Sequence, residues 1–258
     1  MKVTVDLNAD AGESFGRWIL GNDSELLPLV NTVNIACGFH AGDPATMRSS
    51  VLLCKKYSLN AGAHPGYPDL LGFGRRVMQF ADDDIIDYVL YQVGALNAIA
   101  RAEGVLLTHV KPHGALYGHI ARSPELASRL VEQLIRIEPS LKFLISPGPS
   151  GYRLRNDGFP VVFDAPADLD YNEDGSHRIE PIPHAKDPAQ VGARAVELAL
   201  GRVTSISGGV IDMPAESICV HGDRPNAVEI AKAVRSQLQQ AGVEITSMTG
   251  LSAGSPST

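Results

Sequence analysis

The sequence predicts an α/β fold: a single (β/α) barrel of seven or eight strands, with its site at the C-terminal rim of those strands. Three observations predict it. Short apolar runs alternate with helical patterns along the chain, which is the signature of a parallel sheet with crossover helices. Seven or eight such units fill about 250 residues, the usual size of a closed barrel. Polar residues recur where the predicted strands end, and in a parallel barrel all those ends share one mouth. A doubly wound open sheet is the alternative, but the chain has neither G-x-G-x-x-G after a strand nor G-x-x-x-x-G-K-[ST]. The barrel is expected over residues 1–250, and the Ser-, Gly- and Pro-containing tail 251–258 is expected to be disordered.

The first element is a strand, Val3–Leu7, whose pattern runs on through Asp10 to Glu13. Val3, Val5 and Leu7 point one way; Asp6, Asn8 and Asp10 point the other. Burying such a polar side chain without a partner costs roughly 2–7 kcal/mol, so that face must look into a polar cavity. Gly12 turns the chain and brings Glu13 near. This set suits a metal, a cationic group or proton transfer, or else a capped strand end with solvated carboxylates.

A second strand is expected at Thr32–Cys37, then a helix with Asp43 as cap and Pro44 in its first turn, ending near Tyr57. The third strand, Asn60–Ala63, ends in His64. After a long loop comes the clearest helix, Asp83–Glu103, with Ile85, Ile86, Val89, Val93 and Leu96 on one stripe and Gly104 ending it. Val105–Lys111 is the fourth strand; a helix from Pro124 to Ile137 leads to the fifth, Lys142–Ser146. A short helix, Ser150–Asn156, precedes the sixth, Pro160–Asp164. A polar loop covers 165–185, and Asp187 caps a helix to Leu200. Ser217–Val220 is the seventh strand, Pro225–Ala241 the last helix, and Val243–Thr246 a weaker eighth strand.

Composition bounds the function. Hydrophobic residues are 44% of the chain, enough for a full core. With 22 basic and 29 acidic side chains the formal charge is -7, which leaves no basic stripe for nucleic acid. No apolar run has membrane-spanning length and no signal pattern opens the chain, so a cytoplasmic protein without a membrane partner is expected. The cysteines, Cys37, Cys54 and Cys219, have no paired spacing and are expected to be reduced, with Cys37 and Cys219 as small core residues.

The chemistry converges at the strand ends: Asp6, Asn8 and Asp10 on the first, His40 after the second, His64 on the third, Lys111 and His113 on the fourth, His221 and Asp223 on the seventh. Stepping back by two from these histidines meets small or polar residues: Gly38, Ala36 and Asn34; Gly62 and Asn60; Cys219 and Ser217. Small residues leave room for a cavity. His109 shares parity with Lys111 and reads as a buried supporting group, whereas His119, His177 and His184 read as surface residues. Of Arg75 and Arg76, one is expected to fold over the mouth and grip a carboxylate, the other to be solvated; Gly66, Gly72 and Gly74 would let their loop move as a lid.

Six stretches carry a resemblance: Asp6–Gly16, Asn34–Pro44, Gly62–Asp69, Gly72–Arg76, His109–Tyr117 and Cys219–Asp223. Over residues 1–242 the chain resembles the LamB/YcsF family, the 5-oxoprolinase A subunits. The resemblance implies a barrel of the glycoside hydrolase/deacetylase kind. It implies ATP-dependent opening of the lactam of 5-oxo-L-proline to L-glutamate, together with subunits B and C, with ATP as co-substrate and magnesium as its companion. In that chemistry Asp10, Glu13 or His40 would be the base for water, and His113 or His221 would protonate the leaving nitrogen. Lys111 and Arg75 would balance negative charge, with Asp6, Asn8, His64, Arg75 and Asp223 contacting substrate. One region departs from the family pattern: Leu169 stands where an arginine is expected, and Asp164 where a glutamate is. Two other readings compete. Asp10 or Asp6 with two of His40, His64 and His113 could hold zinc or manganese in a metal-dependent amidohydrolase or deacetylase. The chain could instead be a non-catalytic 5-oxoproline-binding subunit. Self-association is left open.

Overall fold

The structure is a computed structural model that describes residues 2–250; the tail expected to be disordered lies outside them. In chain order the strands are β1 (Thr4–Ala11), β2 (Thr32–Ala36), β3 (Asn60–His64), β4 (Leu107–Val110), β5 (Lys142–Ile145), β6 (Val161–Pro166), β7 (Asp170–Tyr171), β8 (His177–Arg178), β9 (Arg202–Thr204), β10 (Val210–Asp212), β11 (Ser217–His221) and β12 (Glu244–Ile245). The helices are α1 (Asp23–Leu26), α2 (Pro44–Tyr57), α3 (Asp82–Ala102), α4 (Gly114–Ala121), α5 (Pro124–Ile137), α6 (Pro149–Asn156), α7 (Pro188–Ala199) and α8 (Ala227–Gln240).

Seven strands pair in parallel in the order β11-β6-β5-β4-β3-β2-β1, and β1 pairs back onto β11 to close the barrel. β12 adds an eighth strand beside the first residues of β1. The helices form where the sequence provides caps and one apolar face. The Asp43 carboxylate accepts from the Ala45 and Thr46 amides at the head of α2, and Asp187 accepts from Ala189 at the head of α7. Asp82, Asp83 and Asp84 sit in the first turn of α3, where negative charge complements the helix dipole. On α5, Leu126, Leu130, Val131 and Leu134 are buried while the charged residues between them are not. The apolar core lies between the helices and the outer face of the barrel; Val5, Leu7 and Ala9 of β1 belong to it.

The differences from the sequence reading have local causes. β1 runs on to Ala11 because its polar alternate residues find partners inside the barrel. β4 starts at Leu107, since the Val105 amide still bonds the Ala100 carbonyl at the end of α3. α4 follows His113 directly and was not expected; glycine at its start hid it. The polar loop 165–185 contains the antiparallel hairpin β7–β8, and β9–β10 is a second one; strands of two or three residues give no periodic signal.

Candidate active site

The barrel interior is polar, and it is layered. At the floor, Asp6 accepts from the Thr32 hydroxyl (2.7 Å), the Ser217 hydroxyl (2.5 Å) and the Met248 amide (3.1 Å). Asn60 donates to Thr32 and Ser247, and Met248 closes the barrel with Leu144 and Val162. One layer up, Asn8 donates to Asp164 (2.8 Å) and Ser217 (2.7 Å) and accepts from Asn34 (2.7 Å). Asn34 also donates to Asp10, and its oxygen meets His109 Nε2 at 2.7 Å. His109 is therefore the buried supporting group that parity suggested. It fits because position 62 is glycine: a Cβ there would lie 2.2 Å from its ring.

The mouth is the third layer. A cavity of about 330 Å³ opens there, and its wall includes Asp10, His64, Arg75, Lys111, His113, His221 and Asp223, as the sequence predicted. Two expectations need correction. Asp6 and Asn8 are not in that wall; their side chains are consumed by the layers below, so they build the barrel rather than touch substrate. Glu13 and His40 are buried beside His64 and His113 but are not part of the wall.

The electrostatics centre on Asp10. Lys111 Nζ lies 2.8 Å from Asp10 Oδ1, 2.8 Å from Cys219 Sγ and 3.7 Å from Asp164. Burial alone would raise Asp10, but the charges of His64 and Lys111 outweigh it and keep the carboxylate ionised, well below the usual range. Burial likewise disfavours the Lys111 ammonium, and Asp10 and Asp164 more than reverse that. Cys219 is thus a lumen residue against a lysine, not the apolar core residue expected. The other oxygen of Asp10 faces His64 Nε2 at 3.2 Å and His221 Nε2 at 3.6 Å. His221 Nδ1 meets Asp168 at 2.7 Å, and Arg224 donates to the same Asp168 carboxylate at 2.7 Å. Burial works against a charged His221, but Asp168 outweighs it, so the ring is held above the ordinary histidine value.

The rings of His64, His113 and His40 pack together. His64 Nδ1 is 2.6 Å from the Lys111 carbonyl oxygen, His113 Nε2 is 2.8 Å from that of Phe73, and His64 Nε2 and His113 Nδ1 face each other at 3.0 Å. His40 stacks flat on His113, 3.8 Å between centroids and 4° between planes. Burial pushes His40 and His113 well below the usual histidine range. Burial also drives Glu13 well above the carboxylate range, helped by Asp223 and Asp10.

The loop between β3 and α3 is packed, not hinged. Arg75 is ion-paired with Asp223 at 2.6 Å, while Arg76 is exposed and pairs with Asp69, so one arginine reaches the mouth and the other does not. The glycines expected to free a lid make room instead: a Cβ on Gly66 would lie 2.5 Å from the His40 ring, and one on Gly74, whose φ is +63°, 2.8 Å from His40 Cβ. Phe73 holds a left-handed φ of 53° and aims its carbonyl at His113.

Sequence reasoning undervalued five residues here. Asp164 entered only as the end of the sixth strand and as a departure from the family pattern, and Asp168 was not a site candidate; the alternation Val162, Asp164, Pro166 on β6 was the signal that places Asp164 inward. Arg224 was not singled out from the sequence, yet it is 4% exposed and bonds Asp168, Glu180 and the His184 carbonyl. Tyr117, on the unexpected α4, lines the cavity. His177 is not a surface residue: it lines the cavity between Tyr117 and Tyr171. Leu169, where the family pattern has arginine, is part of the cavity's apolar wall.

A closed parallel barrel with paired acids, imidazoles and a buried lysine at the mouth of its strands defines a hydrolase-type barrel enzyme. The LamB/YcsF family matches residues 5–253, and the chain belongs to that family. It is 48% identical to the 5-oxoprolinase A subunit of Coprothermobacter proteolyticus over 253 residues, covering 96% of this chain and 97% of that one. The crystal structure of the lactam utilization protein from Thermus thermophilus superposes with a TM-score of 0.84 at 42% identity, covering 95% of this chain and 100% of that one. The catalytic domain of a peptidoglycan N-acetylglucosamine deacetylase from Eubacterium rectale shares the fold, with a TM-score of 0.51 at 11% identity, covering 97% and 91%. Among the described residues no helix is long and apolar enough to cross a membrane.

Proposed function

We propose that this chain is the A subunit of an ATP-dependent 5-oxoprolinase and that its barrel mouth opens the lactam of 5-oxo-L-proline to L-glutamate. The observation that carries the reading is the full-length similarity to proteins named for that role, 42–48% identical. The geometry supplies a matching chemistry. Water adds to the lactam carbonyl carbon, the ring C–N bond breaks, and the nitrogen leaves with a proton. Asp10 is ionised and takes the proton of the water. His221, its Nδ1 held by Asp168, presents Nε2 to the mouth and delivers a proton to the ring nitrogen. His113 is the poorer acid, because one nitrogen is tied to the Phe73 carbonyl and burial keeps the ring neutral. Lys111 is a fixed cation against the negative charge that develops on oxygen. Arg75 uses one guanidinium nitrogen on Asp223 and has others left for the substrate carboxylate.

An unactivated lactam is a stable amide; transfer of the terminal phosphoryl group of ATP to its oxygen, with ADP leaving, makes the carbon electrophilic, and once the C–N bond has broken a second water hydrolyses the resulting acyl phosphate to L-glutamate and inorganic phosphate. The cavity exceeds what one five-membered lactam fills, and the remainder accommodates that group. Subunits B and C supply the phosphoryl donor site. The test is glutamate release by the chain mixed with subunits B and C, ATP and magnesium. Asp10→Asn and His221→Gln should each abolish most turnover; near-normal release from both would overturn the reading.

A further inference from the structure

We propose that Glu13, His64 and His113, joined by His40, form a binding site for one divalent transition cation of the zinc class beneath the cavity. The inference does not rest on the ring-opening reading. Its starting point is a conflict of lone pairs. A backbone carbonyl oxygen only accepts, so His64 Nδ1 against the Lys111 carbonyl and His113 Nε2 against the Phe73 carbonyl must both carry hydrogen. Were both rings neutral, bare lone pairs on His64 Nε2 and His113 Nδ1 would face each other across 3.0 Å, and His64 Nε2 would also face the Asp10 carboxylate at 3.2 Å. Such an arrangement persists only with positive charge shared between them. An imidazole whose other nitrogen donates to a carbonyl is also the tautomer that metal sites select.

The remaining donors are in place. Glu13 Oε1 lies 3.8 Å from His40 Nε2 and 4.0 Å from His113 Nδ1, and the four donor atoms all fall within 4.8 Å of one another. A tetrahedral ion bonded at about 2.0–2.1 Å holds its donors roughly 3.3 Å apart, so the carboxylate of Glu13 and the His40 ring must close in by about half an ångström or more while His64 and His113 part slightly. His40 is 1% exposed, and neither of its nitrogens has a partner. Because it stacks flat on His113, its ring must turn before Nε2 can reach the same ion; no hydrogen bond holds it where it is. Three imidazoles and one carboxylate select zinc, cobalt or iron over magnesium and calcium, which prefer oxygen.

The set differs from the one the sequence suggested, in which Asp10 was a ligand. Asp10, Cys219 and His221 form a second cluster, but the Lys111 ammonium sits 2.8 Å from both Asp10 and Cys219 and already fills the cation's place there.

Cobalt(II) is the probe, added to full-length protein stripped with a chelator. One equivalent should bind, give the visible bands of a low-symmetry nitrogen/oxygen site without a near-ultraviolet thiolate band, and raise the melting temperature; zinc should displace it. Glu13→Gln and His113→Gln should each weaken binding at least 100-fold, and Cys219→Ser should leave it unchanged. Retained affinity in His113→Gln overturns the proposal. So does a thiolate band, which would put the ion at Cys219. Failure of the wild-type protein to bind cobalt or zinc also overturns it, and a proton then bridges the two rings. The wild-type spectrum decides the matter even if the ligand variants do not fold.

Discussion

The floor and the mouth of this barrel are built from the same kinds of side chain, yet they behave as opposites. At the floor each carboxylate, amide and hydroxyl has a partner: Asp6 with Thr32, Ser217 and Met248, Asn60 with Thr32 and Ser247. At the mouth partners run out. Among the described residues, eight buried side-chain atoms lack a hydrogen bond, and six of them belong to His40, Tyr117, Asp164, His177 and Asp223. Native interiors leave few such atoms, so their concentration at one end marks where a ligand is meant to complete the bonding. An inward-facing polar residue is therefore no signal of chemistry by itself; an inward-facing residue with unused valence is.

The largest effect should come from the mouth. His221→Gln keeps a donor toward Asp168 but removes the acid, and general acid catalysis is worth about 10²–10⁴-fold. Glutamate release by the assembled subunits should fall by that factor, with the melting temperature within a few degrees of wild type. A large loss of stability with little loss of rate per folded molecule would place His221 with the floor. Asp168→Asn sharpens the point through pH. In the wild-type chain Asp168 holds His221 above the ordinary histidine value, so the ring keeps its proton to a higher pH than a free histidine does. The stability contributed by the pair is accordingly complete below the unfolded-state value and lost as pH rises through the folded one. Without the carboxylate, burial dominates and the ring deprotonates at lower pH. The alkaline limb of kcat/KM should move toward acid, at roughly tenfold in rate per unit of displacement. An unmoved limb would assign it to another group.

The floor should respond in stability alone. Thr32→Val keeps the shape and deletes one donor to Asp6, a loss of about 1–3 kcal/mol. Glutamate release per folded molecule should not change. The loss also has a pH signature. Burial raises the Asp6 carboxyl to about 6, and the Thr32 hydroxyl opposes that by donating to the charged form. A carboxyl raised in the folded state favours folding at low pH and progressively less as pH climbs through its folded value. Removing the hydroxyl penalises only the charged form, so denaturant melts should show a greater loss at pH 8 than at pH 5. Equal losses would mean that Asp6 stays neutral throughout.

The contrast also explains what the sequence could and could not reveal. Alternation along β1 was enough to turn Asp6, Asn8 and Asp10 inward, and strand ends were enough to gather Asp10, His64, Lys111, His113 and His221. Periodicity says which way a side chain points, not how far along the barrel axis it lies or what it meets. Asp6 and Asp10 share one face of one strand, four residues apart, and differ only in their partners from other strands. Those partners are long-range facts. The same limit hid Arg224, whose burial depends on a loop more than 50 residues away, and His177, whose short hairpin has no pattern of its own.

The smallest predicted effect is the finest test of the contrast. His177 stacks between Tyr117 and Tyr171, with centroids 5.6 and 5.2 Å away, and its Nε2 has no partner. Burial holds the ring down to about 3, so it is neutral at any working pH and offers only a dipole to the cavity. His177→Phe keeps the ring and deletes the idle nitrogen. If that nitrogen awaits substrate, the melting temperature should hold or rise slightly, since an unpaired buried polar atom is gone. KM should rise about fivefold, the equivalent of one hydrogen bond of about 1 kcal/mol. A melting temperature lower by several degrees would show that Nε2 belongs to the barrel's own bonding, as the atoms of the floor do. An unchanged KM would show that a vacant valence at the mouth does not suffice to identify a substrate contact, and the rule would then have to be argued residue by residue.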